Sequence, residues 1–150
     1  MLARLRFVAA IGFVAVFFAG LSKHSAAQTP GKASITVKIA GIRGTQGKIL
    51  LALRSGPGKI VQGQTAEIDT KTMTAQAVFA DVTPGTYDIA IIHDENGNGK
   101  LDFNEVGMPV EGYGHSNNPE RRAGEPSFDE TKFTVASSNV TFEINLIYWP

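Results

Sequence analysis

Asp94, Asn96, Asn98, Gly99, Lys100, Asp102 and Glu105 fall in one stretch of twelve positions, DENGNGKLDFNE, with the spacing of a calcium loop. Each residue type has a task there. Asp94, Asn96 and Asn98 alternate so that their side-chain oxygens turn inward, and Gly99 permits the sharp bend at the sixth position. Lys100 offers its backbone carbonyl, Asp102 can hold a water, and Glu105 closes the shell with two oxygens. Leu101 is the apolar plug that ties such a loop to a core. The donors are hard oxygens, so calcium is the cofactor expected, ahead of zinc or copper.

The elements that must position this loop are not those of an ordinary EF-hand. The incoming segment, YDIAIIH at 87–93, is rich in β-branched residues and follows the Pro84-Gly85 turn, so it reads as a strand. After Glu105 comes Val106-Gly107-Met108-Pro109, which leaves room for one helical turn at most. Without a pair of helices whose angle could change, the loop is expected to act as a structural clip and not as a sensor.

The rest of the chain has period two. Ile35, Val37 and Ile39 alternate with polar neighbours, and 47–54 reads as a strand buried on both faces. Residues 55–64 read as a connecting loop after Ser55-Gly56-Pro57-Gly58, with further strands expected over 66–70 and 73–82. Val140, Phe142, Ile144, Leu146 and Tyr148 alternate cleanly, and Phe133 and Val135 are expected to pair with them through a turn at Ser137-Ser138-Asn139. No long helical pattern occurs after residue 33. The fold class expected is all-β, an antiparallel Ig-like or prealbumin-like β-sandwich with a long calcium-loop insertion. Residues 107–128, rich in Gly, Pro, Asn and charge, read as an ordered loop over one end of it.

Residues 1–27 have the parts of a secretory signal: Arg4 and Arg6, an apolar run over 7–21, and Ser25-Ala26-Ala27 before Gln28. The expected organisation is a signal peptide at 1–27, a flexible lead-in at 28–33 and one domain at 34–150. The expected location is the bacterial periplasm or the exterior, with no stable membrane span after cleavage. The signal holds Arg4, Arg6 and Lys23 of the 14 basic residues and no acid, so 11 remain against 14 acids, a net charge of −3. That balance is no footprint for nucleic acid. Cysteine is absent, so an exported chain of this kind has no disulfides and a bound ion is a natural staple.

Residues 93–102, then Gly107-Met108-Pro109-Val110-Glu111-Gly112-Tyr113-Gly114, Ser116-Asn117-Asn118 and Pro126-Ser127-Phe128, resemble an uncharacterised bacterial family, domain of unknown function 2141. The resemblance covers nearly all of the chain beyond the signal and implies exported, mostly β proteins with no established activity. The Pro84-Gly85-Thr86-Tyr87 turn and strand is also similar to carboxypeptidase-regulatory-like and collagen-binding B-type sandwich domains, some of which carry comparable calcium loops. That second likeness is one of fold and does not carry function across.

For chemistry beyond the loop the candidates are few. His93, Glu111 and His115 could serve a hydrolytic or carbohydrate-active site, but their spacing matches no zinc motif and no nucleophile elbow is present. Tyr113, Asn117, Asn118 and Arg121 resemble the aromatic-plus-amide mixture that binds sugars, and with Glu111 and His115 they make the candidate ligand-binding set. The same asparagines suit Asx turns. The expectation is a non-enzymatic exported protein whose calcium loop orders a surface for an unidentified envelope or extracellular protein or glycan.

Overall fold

A computed structural model of the chain describes residues 31–122 and 124–150. The expected signal at 1–27 lies outside these residues. Among the described residues the fold is all-β in two sheets, with one helical turn.

The first sheet is built on β1 (Ala33–Ala40), whose Ala33, Ile35, Val37 and Ile39 are at most 1% exposed. One neighbour is β4 (Ala75–Val82), antiparallel, where Phe79 lies opposite Ile35 and the small Ala77 and Ala75 lie opposite Val37 and Ile39. The other is β8 (Val140–Asn145), which runs parallel to β1 with Ile35 beside Val140 and Ile39 beside Ile144. The expectation of a wholly antiparallel fold is corrected here. The first and last strands share a sheet and a direction.

The second sheet has β2 (Lys48–Arg54) and β5 (Gly85–Asp94) at its centre, β3 (Ile60–Ala66) outside β2, and β6 (Gly112–His115) beside β5. The short β7 (Phe133–Val135) pairs with the start of β5, Phe133 opposite Tyr87. The hairpin expected between 133–135 and β8 therefore does not form, because these segments belong to different sheets. Their rings still meet: Phe133 and Phe142 stack across the interior with centroids 4.3 Å apart. A contact between layers leaves the same sequence pattern as a contact between neighbouring strands.

The expected loop at 55–64 ends early, since β3 begins at Ile60. Its core-facing residues are Gln62 and Gln64, opposite Leu53 and Leu51, so an apolar alternation is missing. Likewise 107–128 contains β6, whose core-facing residues are glycines, and ends on the first residue of the helical turn α1 (Phe128–Thr131), which starts with a Ser127–Glu130 capping box. The two sheets bury one cluster that includes Phe79, Leu51, Leu53, Ile89, Ile91, Val135, Ile144 and Leu146. After β8 the chain changes sheets: the Leu146 amide donates to Ala40 O, while Ile147 exchanges both backbone hydrogen bonds with Tyr113 of β6.

Candidate functional site

β5 delivers Asp94 to the loop with its side chain fully buried. Its Oδ1 accepts the Asn98 amide and its Oδ2 the Gly99 amide, both at 3.0 Å. Gly97 and Gly99 adopt φ of 78° and 81°, the left-handed conformation that lets the loop fold back on that carboxylate. Asn96 Oδ1 accepts from Asn98 N and Asn98 Oδ1 from Lys100 N, each at 3.0 Å. Asp102 Oδ2 accepts from Asn96 Nδ2 and Asn98 Nδ2 at 2.6 Å each. These bonds, Asn96 first, hold the Asp102 carboxyl below its ordinary range. Leu101 is half-buried.

The loop is closed from below by a residue outside the twelve positions. Glu111, 4% exposed, accepts the Glu95 and Asn96 amides on Oε1, at 3.0 and 3.4 Å, and the Asp102 amide on Oε2 at 3.2 Å. The chain reverses between Asp102 and Glu111: Val110 N donates to Asp102 O, Phe103 bridges Pro109, and Asn104 Oδ1 caps the amides of Val106 and Met108. Glu105 sits on this reversal and is exposed. In an EF-hand the outgoing helix brings the twelfth residue back to the ion. Here a short hairpin returns Glu111 to the loop and leaves Glu105 outside.

The donors gathered around the loop are two buried carboxylates, Asp94 and Glu111, with Asn96, Asn98 and Asp102 between them. Among the described residues no three His, Asp or Glu side chains are gathered at metal-ligand distance, and amides make up part of the set. Hard oxygen donors of this kind fit calcium by chemistry.

The base of the loop is fixed on the core side. Gly47, with φ of 71°, lies so close that a Cβ there would stand 1.9 Å from Asp94 O. His93 is fully buried, with Nε2 2.8 Å from Gln46 O and Nδ1 2.7 Å from the Tyr148 hydroxyl. A carbonyl only accepts, so Nε2 carries a proton, and Nδ1 shares a hydrogen bond with the Tyr148 hydroxyl. Arg43 stacks over the Tyr148 ring at 4.5 Å and donates to Glu95 Oε1 and Val110 O, both at 2.8 Å. Tyr148 has this place because β6 has a glycine beneath it: a Cβ on Gly112 would lie 2.3 Å from the ring. Burial is the main reason the Tyr148 hydroxyl is raised above its ordinary range.

The family described as an uncharacterized protein conserved in bacteria (DUF2141) matches residues 37–143. The chain belongs to that family. No curated protein and no solved structure matches it. Among the described residues of this DUF2141 protein, no helix is long and apolar enough to cross a membrane.

His93, Glu111 and His115 do not converge. His93 stands opposite Gly112 and points into the core, whereas His115 stands opposite Ala90 and points to the other face of the same sheet. Glu111 lies under the loop. Tyr113, Asn117, Asn118 and Arg121 each contact other parts of the protein. Tyr113 accepts from Trp149 Nε1 at 3.1 Å, and Arg121 stacks over the Trp149 ring at 4.9 Å. Asn117 Nδ2 reaches Glu130 O and Lys132 O at 3.1 Å. Asn118 donates to Glu143 O at 2.9 Å and accepts the Asn145 amide at 2.8 Å. Their positive φ values, 66° and 46°, are those asparagine tolerates best after glycine.

On the outer face of the second sheet lies a polar network in this DUF2141 protein that the motifs did not reveal. Arg54 and Asp88 face each other on β2 and β5, 8% and 0% exposed, joined by two hydrogen bonds. Thr131 Oγ1 donates to Asp88 at 2.8 Å and Ser116 Oγ donates to Thr131 O at 2.7 Å. Arg54 also donates to Glu125, whose carboxylate is 3.7 Å from His115 Nε2. Burial works against the Arg54 charge, but the bonds to Asp88 and then Glu125 overcome it and raise its pKa. Glu125 is held down at about 2, by His115 first and then by Arg54. The network fastens 116–131 to the sheet. Its signal in the sequence is a charged residue directly beside an apolar run in each strand, Arg54 after ILLAL and Asp88 before IAII.

Proposed function

We propose that this DUF2141 protein is an exported, non-catalytic binding protein of Ig-like or prealbumin-like sandwich build. In this reading a calcium ion clips the loop at 94–111 and so orders the adjoining 107–128 segment for an envelope or extracellular partner. The observation that carries it is the pair of buried carboxylates, Asp94 at 0% and Glu111 at 4% exposure, that grip the loop from its two ends. Asp94, Asn96, Asn98 and Asp102, with Glu111 in the closing role assigned by spacing to Glu105, would hold the ion. When bound, calcium would supply positive charge to oxygens that otherwise rely on amide donors.

The separation of His93 from His115 supports a binding role over a hydrolytic one. So do three exposed apolar side chains near the loop: Phe103, Val106 and Val110 are 44%, 79% and 45% exposed. Asn117 and Asn118, two of the side chains expected to meet a sugar, hydrogen-bond backbone groups of the fold.

Calorimetric and thermal titrations with calcium chloride test the reading. Extracellular modules bind calcium with dissociation constants on the order of 10⁻⁴ to 10⁻³ M. Calcium at tenfold excess over its dissociation constant should add roughly 1.4 kcal/mol of stability. Glu105→Gln should keep that gain, whereas Asp94→Asn and Glu111→Gln should lose it. Absence of heat and of any melting shift in the unmodified protein at millimolar calcium would refute the clip. A gain lost in Glu105→Gln but kept in Glu111→Gln would refute the assignment of Glu111.

A further inference from the structure

Of the seven asparagines in the chain, only Asn96 and Asn98 are followed by glycine. Asparagine is thermolabile, most of all before glycine, whose backbone nitrogen has no Cβ beside it to hinder attack on the carboxamide carbon. Both residues are exposed, so water reaches them.

The hydrogen bonds around the two asparagines match in all but one respect. Each closes an Asx turn: Asn96 Oδ1 accepts Asn98 N and Asn98 Oδ1 accepts Lys100 N, both at 3.0 Å. The turn folds each carboxamide back toward the glycine that follows it, and the donated N–H faces the oxygen on which negative charge develops when the carboxamide carbon is attacked. Each Nδ2 donates to Asp102 Oδ2 at 2.6 Å. The difference lies in the two nucleophiles. Gly99 N donates to Asp94 Oδ2 at 3.0 Å, so it must first give up a bond to a carboxylate whose charge also opposes the loss of its proton. Gly97 N donates to nothing among the described residues. Gly97 is exposed, and beyond its chain neighbours no atom stands within 4 Å of where its Cβ would be.

We propose that Asn96 is a self-modification site: Gly97 N attacks Asn96 Cγ, and the loop converts that side chain from amide to carboxylate while Asn98 keeps its amide. First the Gly97 N–Cγ bond forms and the Cγ–Nδ2 bond breaks. Nδ2 leaves as ammonia with the proton given up by Gly97 N, and a cyclic imide remains. Water then opens the ring. Breaking the new N–Cγ bond gives aspartate, and breaking the bond from N to the backbone carbonyl carbon gives isoaspartate. Either product puts a negative group where Asn96 Nδ2 now donates to Asp102, in a loop that already holds the buried Asp94 and Glu111. Where calcium clips the loop, the aspartate product raises the charge of the donor set, a property that tunes affinity in such loops. That consequence rests on the calcium reading, and the modification itself does not. The change runs one way, so the loop records the age of the molecule.

The experiment is incubation of the purified protein at neutral pH with a chelator present, sampled over weeks. Trypsin cuts after Lys71 and Lys100 and releases both asparagines on one peptide. Tandem mass spectrometry then assigns the exchange of NH₂ for OH to one residue or the other, and isoaspartyl methyltransferase labels the isoaspartate. In the folded protein Asn96 should convert at least about tenfold faster than Asn98, the factor that a hydrogen bond to a charged group is worth when it must be broken first. In the same protein unfolded in urea, where Gly99 is no longer held by Asp94, the two should convert at similar rates. Asn96→Gln should remove all but the slow Asn98 background of label from the folded protein. Asn98 converting as fast as Asn96 in the folded protein overturns the proposal. So does a folded protein that converts neither while the unfolded chain converts both, and so does a preference for Asn96 that persists undiminished in urea.

Discussion

Replacing Gly112 by alanine tests the clamp that ties the C-terminal segment to the base of the loop. Gly112 has no positive φ to preserve, so the cost lies in space: its Cβ would stand 2.3 Å from Tyr148 Cε1 and 2.4 Å from Cζ. The Tyr148 side chain must swing away. His93 Nδ1, on a ring that is fully buried, then loses its hydrogen-bond partner, which costs about 1–3 kcal/mol. Loss of the Arg43 stack adds about 0.5–1 kcal/mol. Relief of glycine's backbone entropy offsets about 0.5–1 kcal/mol. The expected net loss is roughly 1–3 kcal/mol, measured by equilibrium urea unfolding as a fall in midpoint at constant slope. The decisive arm is a double-mutant cycle. In a Tyr148→Ala background the Gly112→Ala change should cost less than about 0.5 kcal/mol, since the clash has gone. A full cost that persists without the Tyr148 ring would refute the reasoning and place the strain elsewhere in β6.

Arg54→Met should destabilise the protein by about 3–5 kcal/mol in the same unfolding assay, because it leaves the Asp88 carboxylate buried without its counter-charge. The paired change Arg54→Met with Asp88→Leu should recover much of that loss. Acid should expose the Glu125 contribution: its folded value near 2 lies below the ordinary 4.5, so its stabilisation is complete above 4.5 and is lost as pH falls through about 2. Melting temperatures followed across that window should fall less steeply for Glu125→Gln than for the unmodified protein, and parallel curves would remove Glu125 from the network.

β1, β2, β4, β5 and β8 were legible because each alternates apolar residues on a core-facing side or is apolar throughout. β3 and β6 were not, since their inward positions are Gln62 and Gln64 in one and Gly112 and Gly114 in the other. For β7 the residues Phe133 and Val135 were visible but their partner was not, because a ring contact across layers and a ladder contact look alike in sequence. Within the loop, the mutual contacts of Asp94, Asn96, Asn98 and Asp102 follow from local spacing and were readable. Glu111 was not assigned to the loop, because its return depends on a hairpin and not on the helix that the twelve-position pattern assumes. Arg54 and Asp88 meet through the register of β2 on β5, which no local pattern encodes.

The parallel pairing of β1 with β8 also imposes an order in time. Ser34 N and Asn139 Oδ1, 105 residues apart, already bond at the mouth of this pair. Until residues 140–145 are available, β1 has one neighbour in its sheet and Ile35, Val37 and Ile39 lack the cover of Phe142 and Ile144. A contact so distant along the chain is slow to form. Closure of the first sheet is therefore a late event in the life of each molecule, and a chain cut short of β8 exposes an apolar strand that invites aggregation.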